Sequence, residues 1–143
     1  MTVNDEGVLA LARVARHLEK ALADDGMTLP QYRVLAFLSE GDHAASKLAD
    51  WLAVSRPSVT ALVDGLVEQR WVERKACAND RRSVLHQITD DGRRRLASAT
   101  AVLCDHVGAL LEHLDADERR RAVEGMVLLG TALRRHVEAL VAR

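Results

Sequence analysis

Cysteine is scarce in this chain of 143 residues: there are two, Cys77 and Cys104, far apart and without C-x-x-C spacing. Such a pair supports neither a disulfide framework nor a sequence-local zinc site. Aromatic residues make up only 3% of the chain, one Phe, one Tyr and two Trp. Aliphatic packing must therefore dominate any core. No apolar run approaches the roughly 20 residues that a membrane helix needs. The opening MTVNDEGVLA carries two acids and no basic region, unlike a secretory leader. The expectation is a cytoplasmic protein without membrane partners. Also missing are a Gly-rich phosphate loop, G-x-S-x-G and H-E-x-x-H. Neither an enzyme nor a bound cofactor is expected.

Excess positive charge is lacking too, since the net charge is −1. Its distribution is uneven. Residues 1–54 hold 5 basic and 8 acidic side chains, residues 55–95 hold 9 and 6, and residues 96–143 hold 6 and 7. The middle third is therefore net +3. Binding to DNA asks for positive charge along the phosphate path, not for a basic whole. A composition that is 48% hydrophobic and 29% charged is otherwise that of an ordinary globular domain.

The hydrophobic periodicity defines six helices. Val8, Leu11, Ala15, Leu18 and Leu22 recur at three- and four-residue spacing over about 6–23, and Gly26 follows. Thr28 with Gln31 forms a capping box for a second helix reaching about Ser39, with Pro30 in its first turn. A short helix over about 44–53 and another from the N-cap Ser55 to about Gln69 are separated by a tight turn. Together they read as a helix-turn-helix. The period then changes: 71–74 and 83–88 read as two strands around the polar turn Ala78-Asn79-Asp80-Arg81. Thr89 caps a long fifth helix, and Asp115 with Glu118 opens a sixth. The order is α-α-α-α-β-β-α-α, a mainly α fold with a small β wing, and no repeat or linker interrupts it.

The segments TLPQYRVLAFL, SRPSVTALVDGLVEQRWVER and DRRSVLHQIT resemble, in turn, the second helix, the recognition helix and the wing of the MarR family of winged helix-turn-helix regulators. The resemblance covers nearly the whole chain. It implies one domain over 1–143, with a DNA-binding part at about 28–92 and dimerisation helices at about 6–23 and 93–143. It also implies a homodimer on double-stranded DNA at a pseudo-palindromic promoter site, acting as a repressor released by a small anionic or phenolic effector. The apolar terminal helices, lacking a partner within one chain, carry the expected interface: Val8, Leu11, Met126, Leu129, Leu133, Val137 and Leu140.

A recognition helix points its first residues at base edges in the major groove, which here selects Ser55, Arg56, Ser58 and Thr60. Ser55 is also the N-cap. By the wing motif, Arg82 corresponds to the arginine that enters a narrow minor groove. Arg81 lies beside it, and Asp80 is placed to orient the loop. Arg74 and Lys75 are expected at phosphates. The run Arg93 to Arg95 reads as a solvated helix face. Four positions depart from the family's pattern. Ala61 and Gly65 stand where long polar side chains are common, while Ala53 and Arg70 stand where glycine usually takes a left-handed turn.

The resemblance places ligands between the dimerisation helices and the winged part, which would draw on Arg13, Arg16, His17, Tyr32 and Trp51. An arginine there would hold a carboxylate through two hydrogen bonds. His106 and His113 share a helix face but lie roughly 10 Å apart along its axis, too far for one ion, and no metal site is expected. Cys77 near the wing has no resolving partner in the sequence. The alternative to a DNA-binding regulator is a winged-helix dimer serving as a protein-interaction module, which the small residues at 61 and 65 favour.

Overall fold

The computed structural model describes residues 4–77, 79–80 and 83–142. Arg81 and Arg82, two of the expected DNA contacts, lie outside the described residues. The elements in chain order are α1 (Asp5–Asp24), α2 (Leu29–Leu38), β1 (His43–Ala44), α3 (Ala45–Leu52), α4 (Arg56–Glu68), β2 (Val72–Ala76), β3 (Val84–Ile88), α5 (Asp90–Leu111) and α6 (Ala116–Val141). The six helices fall where the periodicity places them. The sheet has three strands rather than two, antiparallel and in the order β1-β3-β2. A two-residue strand such as β1 is too short to show any alternation, so the sequence gives no sign of it.

Each helix start except that of α3 is closed by a side chain. Asn4, Thr28, Ser55, Thr89 and Asp115 each accept a hydrogen bond from the backbone N–H three residues on. Two of these are reciprocal capping boxes, Thr28 with Gln31 and Asp115 with Glu118. Caps of this kind contribute about 1 kcal/mol each by satisfying N–H groups that the helix leaves open.

The core lies between α2, α3, α4 and the sheet. Leu35, Leu38, Leu48, Val59, Val63, Leu66 and Val72 are buried there, joined by Leu22 from α1 and Ala99 from α5. Aliphatic side chains fill it, as the shortage of aromatics requires; Phe37 is its one aromatic buried member.

The turn of the helix-turn-helix and the end of α4 show how the sequence departs from the expected glycines. Ala53 has φ 54° and Arg70 has φ 61°. Both adopt the left-handed conformation that glycine would adopt, so the turn geometry is retained at the cost of crowding a Cβ, about 1–2 kcal/mol each. Gly92, in the first turn of α5, is required for a different reason. A Cβ there would stand 2.1 Å from the Trp71 carbonyl oxygen.

The terminal helices are largely uncovered, α1 burying Ala21 and Leu22 near its end. α6 is 26 residues long and buries none of them. Val8, Leu11, Met126, Leu129, Leu133 and Leu140 are each about half exposed or more, and Val137 is partly covered.

Candidate nucleic-acid interface

Helix α4 buries Val59, Val63 and Leu66 against the core and turns Arg56, Ser58, Thr60, Ala61 and Asp64 outward. The three-residue link 53–55 after α3 sets this orientation. The hydroxyls at the start of α4 are already engaged. Ser55 Oγ lies 2.8 Å from Ser58 Oγ and accepts the Ser58 N–H at 3.3 Å, while Thr60 Oγ1 donates to the Arg56 carbonyl at 3.1 Å. Each hydroxyl keeps spare acceptor capacity. The Arg56 guanidinium has no hydrogen-bond or ion-pair partner among the described residues, so it is the longest free donor on this face. Ala61 and Gly65 leave the centre of the helix low, and nothing lies within 4 Å of the place a Cβ on Gly65 would occupy.

The wing stands beside this face. β2 and β3 pair from Val72 opposite Ile88 to Ala76 opposite Val84. The turn is closed by Asp80, whose carboxylate accepts from Ser83 Oγ at 2.8 Å and whose carbonyl accepts the Ser83 N–H at 3.1 Å. Lys75 is exposed and has no ion-pair partner among the described residues. Arg74 differs from expectation: its guanidinium pairs with Asp64 on α4 rather than standing free for phosphate. The reason is steric proximity, since β2 leaves α4 at Arg70 and runs back alongside it. The pair ties the wing to the recognition helix.

His86 faces inward from β3 and is 5% exposed, and the motif reading does not single it out. Its Nδ1 lies 3.1 Å from the His43 carbonyl across the sheet. Burial is the main cause holding its pKa below the ordinary 6.5, with Arg74 nearby acting the same way, while the hydrogen bond to His43 and the charge of Asp64 oppose it. His43 is lowered too, by burial first and then by Lys47, against Asp42 and Glu40. The only sequence signal for His86 is its place at an inward position of V-L-H-Q-I.

The arginine run of α5 is not a uniform solvated face. Arg93 Nη1 reaches the Ser39 carbonyl at 3.4 Å, Arg94 pairs with Asp91, and Arg95 turns inward to Asp25 at 2.7 Å.

The five residues expected to line an effector pocket separate into two places within this chain. Tyr32 and Trp51 face a cleft of about 270 Å³ closed by Leu133 and Val137 of α6. Trp51 also lines an adjoining cleft of about 330 Å³ with His43, Lys47 and Arg134. Phe37 stacks between His43 and Trp51, at 4.3 and 4.9 Å between ring centres. Arg13, Arg16 and His17 instead line a shallow depression with Lys20 on the outer face of α1. Tyr32 faces α5, its hydroxyl 3.1 Å from Thr100 Oγ1. Among the described residues, no three His, Cys, Asp or Glu side chains gather as a metal site. Cys77 is half-buried and Cys104 exposed.

A tight helix pair, an outward recognition face and a braced wing define a winged helix-turn-helix DNA-binding regulator. Comparison with known proteins gives the same class. A sequence model of the MarR family matches residues 25–83. The chain is 30% identical to the uncharacterized HTH-type transcriptional regulator YfiV of Bacillus subtilis, over 75% of this chain and 68% of that protein. It is 26% identical to the HTH-type transcriptional repressor YetL of the same organism, over 71% of this chain and 63% of that one. Among solved structures it is similar to wild-type apo MarR from E. coli. The TM-score is 0.77 with 25% identity, covering 93% of this chain and 98% of that one. The chain belongs to the MarR family.

Proposed function

We propose that this regulator acts as a homodimer that represses transcription by occupying a pseudo-palindromic promoter site, and that a small anionic or phenolic effector releases it. The observation that carries the reading is the outward face of α4, with Arg56, unpaired among the described residues, beside a wing braced by the Arg74–Asp64 pair. Arg56, Ser58 and Thr60 would meet base edges or phosphates, Ser55 would cap the helix beside a phosphate, and Lys75, Arg81 and Arg82 would serve the wing. The similarity to a relative named as a repressor supports the sign of regulation. The bare α6 supports the dimer, because a second copy would cover Met126, Leu129, Leu133 and Leu140. The clefts between α2, α3 and α6 support the effector. The setting is the cytoplasm, where DNA is; among the described residues no helix is long and apolar enough to cross a membrane. Catalysis has no part in this reading.

The test is binding of the purified protein to the DNA upstream of its own gene against a scrambled duplex, across a salt series. Selective binding that weakens steeply with salt is the expected result. Absence of binding at low salt would overturn the reading in favour of a protein-interaction dimer, which the small residues at Ala61 and Gly65 favour.

A further inference from the structure

Three parts of the chain that are distant in sequence meet at one guanidinium. Arg95 lies in the first two turns of α5. Its Nη1 donates to Asp25 Oδ2 at 2.7 Å and its Nη2 donates to the Asp25 carbonyl at 2.6 Å. Both groups are sheltered, with side-chain exposures of 18% for Arg95 and 30% for Asp25. Asp25 is the residue that ends α1. The Cζ of the same guanidinium lies over the Trp71 ring, 5.5 Å from its centre, a cation–π contact. Trp71 is the last residue before β2, where the recognition helix gives way to the wing.

The backbone around Trp71 is fixed from α5 as well. Its carbonyl accepts the Thr89 N–H at 3.0 Å, and the Arg70 carbonyl accepts from Thr89 Oγ1 at 2.7 Å. The Cα of Gly92 packs so closely that no side chain fits there. These contacts attach the root of the wing to α5 but not to α1. Among the described residues, Arg95 is the polar side chain that completes the link to α1.

We propose that Arg95 is a positioning residue for DNA binding: by gripping Asp25 and lying over the Trp71 ring, it holds the recognition helix and wing at a set angle to α1. Lysine can substitute for it only in part. A bidentate grip on a carboxylate and a carbonyl needs the planar fork of arginine. Arg95 itself touches no DNA in this scheme.

The inference rests on the DNA-binding reading above, and the experiment separates the two. The wild-type protein first enriches a duplex from a random pool; if it enriches none, the DNA-binding reading fails before Arg95 is tested. Affinity for that duplex is then measured for Arg95→Ala, Arg95→Lys, Asp25→Ala, Asp25→Asn, Trp71→Phe and the Arg95→Ala/Asp25→Ala double variant. The temperature is kept well below each variant's melting point.

The expected result is a loss of at least tenfold for Arg95→Ala and for Asp25→Ala, with the double variant no worse than either. Arg95→Lys should recover only part of the affinity. The slope of affinity against salt should stay that of the wild type, because no phosphate contact is removed. Affinity that is unchanged in folded variants, even with lowered melting points, would reduce Arg95 to a structural residue and overturn the proposal. A salt slope shallower by about one would make it a phosphate contact instead, with the same consequence. If the alanine variants do not fold, Arg95→Lys and Asp25→Asn decide between these outcomes on the same measurements.

Discussion

At the scale of single residues, this chain places side chains where glycine would be easier and glycine where a side chain would be easier. Arg70 holds φ 61° although it carries a Cβ. Arg70→Gly should therefore stabilise the fold by up to about 1 kcal/mol, read as a shift of the urea midpoint at constant slope. Gly65 sits in the interior of α4 with open space around it. Gly65→Ala should raise stability by about 1 kcal/mol, the difference in helix propensity. A fall in Gly65→Ala would mean that the site is more crowded than its geometry indicates, and a fall in Arg70→Gly would mean that the arginine side chain contributes more than its backbone conformation costs. Gly92→Ala should do the opposite, because the clash is with backbone that cannot rotate away. His86 contributes a pH dependence. Its pKa in the folded protein lies below 6.5, so the unfolded chain binds a proton first as pH falls. The stability due to its neutral form is complete above about pH 7 and declines as pH drops through 6.5. The melting temperature should fall from pH 7 to pH 5, and the fall should be smaller in His86→Gln.

At the scale of elements, all six helices were readable from their apolar stripes, and for all but α3 a side-chain cap marks the start as well. Thr28, Ser55, Thr89 and Asp115 mark starts by chemistry that depends on only three or four neighbouring residues. What depends on distant partners was not readable. The strand β1 exists only because His43 and Ala44 pair with β3, some forty residues away. The engagement of Arg74 by Asp64 requires β2 to fold back along α4. The three consecutive arginines of α5 look alike in sequence, yet one helical turn sends them to three different partners. That Arg56, Ser58 and Thr60 face outward from α4 was legible because the apolar stripe of Val59, Val63 and Leu66 fixes the opposite face. The wing carries a further prediction. Arg82→Ala should weaken binding to A·T-rich duplexes substantially while leaving the melting temperature unchanged; equal affinity for wild type and variant would remove this arginine from the mechanism.

At the scale of the whole molecule, the distribution of apolar surface is the dominant fact. The core around α2, α3 and α4 is closed, whereas α6 leaves Val127 at 65% and Leu128 at 68% exposure along with the interface candidates. On the proposed homodimer, Leu133→Asp should give monomer or aggregate in sedimentation, since it sets a charge within the apolar contact. A stable dimer in that variant would place the interface elsewhere. The two halves of the proposed effector pocket, Arg13, Arg16 and His17 on one side and Tyr32 and Trp51 on the other, lie apart within one chain. The resemblance to the family grouped them, and the distance between faces of different helices is not written in local sequence.

The uncovered α6 also has a consequence for dosage. If its apolar face is closed only by a second copy, then the DNA-competent species forms in proportion to the square of the free chain at low abundance. Halving expression would then lower promoter occupancy by nearly fourfold rather than twofold. A cell holding few copies would therefore pass from silent to transcribed promoters across a narrow range of protein level, a threshold set by a bare helix before any small molecule arrives.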